Sequence, residues 1–181
     1  MVKKDLVETV EMPEGVKVSK EKNSLVIVGK KGTVTRVFDN PKVQIEVSGN
    51  EVKIISNKAT KQEKTIMKTF KAHLKNLFKG CSEGYVYKLK ICSGHFPINV
   101  TVSNSLMQIK NYLGEKVPRE VRIKAGAKVT VEGSMITVEA VDKEVAGQVS
   151  ADIELATRRP GFDRRIFQDG IYIVDKAGQV I

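Results

Sequence analysis

The chain has 181 residues, 41% hydrophobic and 29% charged, which suits one large or two small soluble domains and excludes a disordered composition. Lys and Arg number 31 against 21 Asp and Glu, and a net charge of +10 fits a polyanionic partner. Cys81 and Cys92 lack CxxC spacing and no apolar run approaches the ~18 residues of a membrane span, so a disulfide framework, a zinc site and a membrane protein are all excluded.

The opening MVKKDLVETVEMPEG has no apolar stretch of signal-peptide length, so a soluble cytosolic chain is expected. NSLVIVGKKGTVTRVF and KVQIEVSGNEVKIIS predict hairpins, with β-branched runs around glycine-containing turns. The GKKG loop in the first also has the GxxG form with which KH modules clamp single-stranded RNA. A KH loop joins two helices, however, whereas TVTRVF after Gly32 is strand-like. A helix directly after Gly32 would favour a free-standing KH-type RNA-binding module, and a strand would remove it.

TKQEKTIMKTFKAHLKNLFKG predicts a helix, with Thr60 and Glu63 at capping-box spacing and Gly80 as a stop. Ile66, Phe70, Leu74 and Leu77 line one face, with Met67 and Phe78 at its edge. Lys61, Lys64, Lys68, Lys71, Lys75 and Lys79 occupy another arc of about 80°, a stripe roughly 27 Å long. Such a stripe is either an ordinary solvated face or a track for a phosphate backbone.

The same order then recurs. NVTVSNSLMQIKNYLGEKVPREVRI and AKVTVEGSMITVEAV predict strands, and DKEVAGQVSADIELATRR a second helix, broken by Pro160 and Gly161. Asn23-Ser24-Leu25 is echoed by Asn104-Ser105-Leu106, and SGNEVKI by EGSMITV. Val145, Val149 and Ile153 repeat the spacing of Ile66, Phe70 and Leu74. A repeat of domain size predicts an α+β fold, a tandem duplication of a small antiparallel sheet covered by one helix. The expected divisions are a first domain over 1–81, a second over 82–174 carrying a C-terminal RNA-binding extension, and a short tail over 175–181, with the linker near KGCSEGY.

Two patches hold nearly all the excess charge. Residues 57–79 carry seven lysines and one glutamate, and residues 158–165 carry four arginines and one aspartate. The second patch, RRPGFDRRIFQDGIYI, interleaves Arg158, Arg159, Arg164 and Arg165 with Phe162, Phe167 and Tyr172. Guanidinium groups pair bidentately with phosphates and stack on bases, and rings add stacking surface, so RNA contact is the expected role. Asp169-Gly170 predicts a hairpin turn between RRIF and IYIV. Enzyme signatures are thin: no Walker loop, GxGxxG, HExxH or GxSxG occurs, and His73 and His95 are expected to be structural. A metal-dependent RNA-processing enzyme would have to rest on Asp163 and Asp169.

MPEGVKV and NSLVIVGKKGTV, taken with VDKEVAGQVSADIELATRRP, resemble the L-six family of large-ribosomal-subunit proteins. GHFPINV and RRIFQDGIYIV resemble its archaeal and eukaryotic branch, and the likeness runs from about Met12 to Val174. The resemblance implies two copies of one α+β domain in a non-enzymatic ribosomal protein of the cytoplasm, with no cofactor, metal, membrane or small-molecule substrate. Its implied partners are large-subunit ribosomal RNA, near the loop where translational GTPases dock, and neighbouring ribosomal proteins. Carried over residue by residue, the implied RNA contacts are Arg158, Arg159, Arg164, Arg165, Phe167, Gln168 and Tyr172, with Lys143 at the start of the second helix. In the family the first domain tends to face outward, so the resemblance assigns the lysine stripe no RNA.

Overall fold

A computed structural model of the chain describes residues 4–163 and 165–181. The chain divides into two compact units, residues 1–84 and 85–181. The first contains β1 (Lys4–Glu11), β2 (Lys17–Glu21), β3 (Ser24–Gly29), β4 (Gly32–Val37), β5 (Gln44–Ser48), β6 (Glu51–Ala59) and α1 (Lys61–Ser82). The second runs β7 (Tyr85–Cys92), β8 (Asn99–Ser103), β9 (Leu106–Lys110), a 3-10 turn at Tyr112–Gly114, then β10 (Arg119–Arg122), β11 (Ala127–Glu132), β12 (Met135–Ala140) and α2 (Lys143–Ala156). It closes with β13 (Gly170–Lys176) and β14 (Gln179–Val180).

The small sheet expected in each copy is laid out as two antiparallel ones. Unit one has β1-β6-β5 and the meander β2-β3-β4; unit two has the meander β8-β9-β10 and β11-β12-β7-β13-β14. Strand for strand, β7-β12-β11 repeats β1-β6-β5, and each sheet belongs wholly to one unit. The second unit adds β13 and β14 along the free edge of β7. Residues 175–181, expected as a tail, therefore extend this sheet, with Asp175 opposite Val180 and Lys176 opposite Gln179.

The repeated turns share backbone geometry. Gly49 and Gly133 lead the two-residue loops of the β5–β6 and β11–β12 hairpins with φ of +58° and +59°, a left-handed conformation that favours glycine. The two Asn-Ser-Leu triplets mark equivalent turns but sit one residue out of step. Lys22 and Asn23 form the β2–β3 turn, whereas Asn104 and Ser105 form the β8–β9 turn. The inward-facing counterparts are therefore Leu25 and Met107, both buried.

α1 packs against β1, β3 and β6. Its buried residues include Met67, Leu74, Leu77 and Phe78, so the core face is rotated from the expected stripe, and Ile66 and Phe70 are only half-buried. At its start, the Glu63 carboxylate accepts from the Thr60 backbone N–H (2.8 Å), pairs with the Thr60 hydroxyl and accepts from Lys42 Nζ (3.2 Å). The Thr60 hydroxyl foremost, then its backbone N–H and Lys42, hold the Glu63 carboxyl down at about 2. α2 is capped by Asp142, whose side chain accepts from the Glu144 N–H at 2.9 Å, and presents Ala146, Val149 and Ile153 to the core. α1 continues through Ser82, so the linker expected over residues 79–85 reduces to Glu83 and Gly84.

Because β4 begins at Gly32, the strand after the GxxG loop removes the KH reading. The loop's glycines serve packing instead. A Cβ at Gly29 would lie 2.5 Å from the Cys81 carbonyl oxygen, and Lys31 N–H donates to that same oxygen at 3.0 Å. Gly29 thus lets the β3–β4 hairpin lie directly on the end of α1. Gly29→Ala is expected to destabilise the first unit by about 1–3 kcal/mol through overpacking against backbone. Thermal unfolding would read this as a lower midpoint for that unit, and an unchanged midpoint would show that the hairpin moves away at no cost.

Candidate nucleic-acid interface

The helical pattern of α2 stops at Ala156, and Thr157 fastens the chain beyond the helix. Its hydroxyl donates to the Glu154 carbonyl (3.1 Å) and accepts from the Ile171 N–H (3.0 Å), tying the helix end to β13. Between these anchors runs the arginine–aromatic loop. Arg119 supports the same helix end: its Nη1 donates to the Ala156 carbonyl at 2.6 Å, a cation at the negative pole of the helix. Arg119 also lies 4.4 Å over the Tyr112 ring and grips Glu115 through Nε and Nη2, each at 2.7 Å.

A ladder of contacts shapes the loop. Arg159 reaches Glu115 at 3.4 Å while its guanidinium sits 4.3 Å over the Phe162 ring. Phe162 meets Phe167 edge-on at 4.8 Å, and Phe167 stacks on His95 at 5.0 Å. The His95 ring pairs through Nδ1 with Asp169 Oδ2. Asp169 Oδ1 in turn accepts from the backbone N–H groups of Gly94 (2.6 Å) and His95 (3.0 Å). Burial pushes the Asp169 carboxyl up, but the donors from His95 and Gly94 outweigh it and hold the group below its ordinary value. Arg119, with a smaller contribution from Arg159, likewise holds the Glu115 carboxyl down.

Asp169 and Gly170 are therefore not the hairpin turn expected between RRIF and IYIV. Asp169 is a buried acceptor, Gly170 opens β13, and residues 165–168 form no strand. A three-contact anchor outcompetes a local turn because the Asp169 carboxylate is buried and must find partners, which the Gly94 and His95 backbone N–H groups and the His95 ring supply.

The structure brings together Arg158, Arg159, Phe167 and Tyr172 around one cleft of about 280 Å³, joined by Phe162, Leu155, Leu113, Glu154 and Asp169 among others. Arg158 is exposed. Arg165 is 90% exposed and holds Asp163 at 2.7 Å, a surface pair weak enough to exchange for phosphate. Arg164 lies outside the described residues. Gln168 is exposed and its amide donates to the Arg165 carbonyl at 3.4 Å. Tyr172 is 40% exposed on β13, between buried Ile171 and half-buried Ile173. Lys143 is not part of this cluster: it lies over Tyr85 at 5.9 Å, at the far end of α2, roughly 20 Å away along the helix.

Sequence reasoning missed Glu115, Arg119, His95 and Asp169 as parts of the site, and left Phe162 out of the contact set. Arg119 and Glu115 did carry a signal, an opposite-charge pair four residues apart, but nothing in that spacing points to α2. Asp163 and Asp169, the carboxylates on which an RNA-processing enzyme would rest, are engaged separately, one by Arg165 and the other by Gly94 and His95.

The family model for ribosomal protein L6 matches residues 12–84 and 96–170, one stretch in each unit. The chain belongs to the ribosomal protein L6 family. The second stretch takes in the whole arginine–aromatic loop. The chain is also similar to large ribosomal subunit protein uL6 of Methanosarcina mazei, 45% identical over 96% of this chain and 99% of that protein. The uL6 of Methanobrevibacter smithii is 38% identical over 93% of this chain and 95% of that protein. For the uL6 of Methanococcus vannielii the identity is also 38%, over 96% of each. Membership accounts for the doubled fold, since the family's match itself falls into two stretches, one inside each unit.

Proposed function

We propose that this family member docks ribosomal RNA through the loop at residues 157–169 and β13, close to where translational GTPases bind. The protein is a structural component of the large ribosomal subunit and works in the cytoplasmic ribosome. Arg158, Arg164 and Arg165 neutralise phosphates, Gln168 adds a polar contact, and neighbouring ribosomal proteins complete the surroundings. The role is structural, not catalytic, and calls for no cofactor. One observation carries the reading: exposed Arg158 and Arg165 are presented on a loop that Arg159, Phe162 and Phe167 brace from within. A pre-shaped cationic loop binds phosphate without the cost of ordering itself.

Sucrose-gradient sedimentation of cell extract, probed for this protein, tests it. Co-migration with large subunits that survives a moderate salt wash is expected, and a soluble pool alone would overturn the reading.

The lysine stripe has no part in this docking. Lys61, Lys64, Lys68, Lys75 and Lys79 are exposed, while Lys71 is half-buried and paired with Glu8. Changing Lys64, Lys68 and Lys75 to Gln is expected to leave incorporation into subunits intact, with only a small change in its salt sensitivity. Loss of incorporation by a folded triple variant would show that the first unit carries the contact.

A further inference from the structure

We infer that the cleft beside the arginine loop receives a single unpaired RNA base, stacked on Tyr172 with its backbone held by Arg158. This rests on the RNA reading above and deepens it.

The cleft's volume, about 280 Å³, lies just below the roughly 300 Å³ lower end of pockets that enclose a drug-sized ligand. It suits one planar ring system and is far too small for a helix. Its lining also favours a ring over a phosphate alone. Two carboxylates, Glu154 and Asp169, offset Arg158 and Arg159 in the lining, and the rest of the wall includes Leu113, Leu155, Phe162 and Tyr172. The cleft is therefore balanced in charge and largely apolar, and suits a neutral, flat, partly polar group. The cation that answers the flanking phosphate is Arg158, which lines the same cleft and is exposed.

The rings sort themselves by availability. Phe167 is stacked on His95 and meets Phe162, and Phe162 lies under Arg159, so both are used in bracing. Tyr172 remains 40% exposed. Gly170 keeps that ring close to β13: a Cβ there would come within 3.1–3.2 Å of the ring and hydroxyl of Tyr172. Leu113 in the wall has φ +48°, a strained conformation for a branched residue and one that collects at ligand sites.

The test uses the full chain with two probes, a short RNA duplex carrying one bulged adenine and the same duplex fully paired. The bulged duplex is expected to bind about tenfold more tightly. Tyr172→Leu should bring it level with the paired duplex at an unchanged salt slope, while Tyr172→Phe, which keeps the ring, retains the preference. Arg165→Gln should weaken both duplexes equally. Equal, salt-dependent binding of both duplexes by the unaltered protein would overturn the base cleft and leave the phosphate contacts standing. Binding to neither would overturn both.

Discussion

Asp169→Ala is expected to cost the second unit about 1.5–3 kcal/mol, the range for losing hydrogen bonds to a charged acceptor. The carboxylate is buried and accepts from two backbone N–H groups and the His95 ring. Its removal unties the Gly94–His95 backbone from the start of β13 and lets the His95–Phe167 stack come loose. For a domain near 100 residues, each kcal/mol shifts the midpoint by about 4–8 °C, so the midpoint should fall by about 6–24 °C. Asp169→Asn keeps an oxygen for the amides and gives up only the charge, so its loss should be roughly 1–2 kcal/mol.

The pH dependence has a definite sign. The Asp169 carboxyl titrates below its ordinary 3.8 in the folded protein, so its stabilisation is complete above that value and is lost as the pH falls below it. Acid unfolding of the second unit should therefore be shallower in Asp169→Ala than in the parent between about pH 4 and 2. Equal stability of the two proteins at neutral pH would show that Gly94 and His95 find other acceptors.

The other large effect falls on RNA. If the loop's arginines meet phosphates, Arg158→Gln and the pair Arg164→Gln with Arg165→Gln should each lower the slope of log affinity against log salt. The expected fall is roughly one unit per contact on a duplex target. Arg158 and Arg165 are exposed, so their melting points should not move. Arg159→Gln should behave differently, losing stability as well, because Arg159 is joined to Glu115 and covers Phe162. Phe167→Leu should likewise lower the melting point and affect RNA only indirectly, since its ring lies between His95 and Phe162. Salt slope and melting temperature measured on the same variants decide the matter. Unchanged slopes in folded Arg158 and Arg164/Arg165 variants would remove this loop from the RNA interface.

The duplication was legible because it is written in local chemistry. Alternating apolar residues, paired glycine turns such as Gly49 and Gly133, and two capped helices each report a conformation set by near neighbours. The arginine patch was legible for the same reason, as a run of charge. β7 was harder to see, although YVYKLKIC alternates cleanly and buries Tyr85, Tyr87 and Leu89. Lying directly after the first helix, it reads as linker until its role as a middle strand of the five-stranded sheet is known.

Which members of the patch face outward was decided only by tertiary structure. Asp169 meets His95 across 74 residues, and Arg159 meets Glu115 from beyond the end of α2. No period or spacing encodes such pairs. A buried carboxylate takes whichever donors the fold sets beside it, because leaving that charge buried and unpaired costs more than giving up the local turn that Asp-Gly favours. That preference turned an apparent hairpin into the anchor of the loop, and it divided one sequence run into braced residues, Arg159 and Phe167, and presented ones, Arg158, Arg165 and Tyr172.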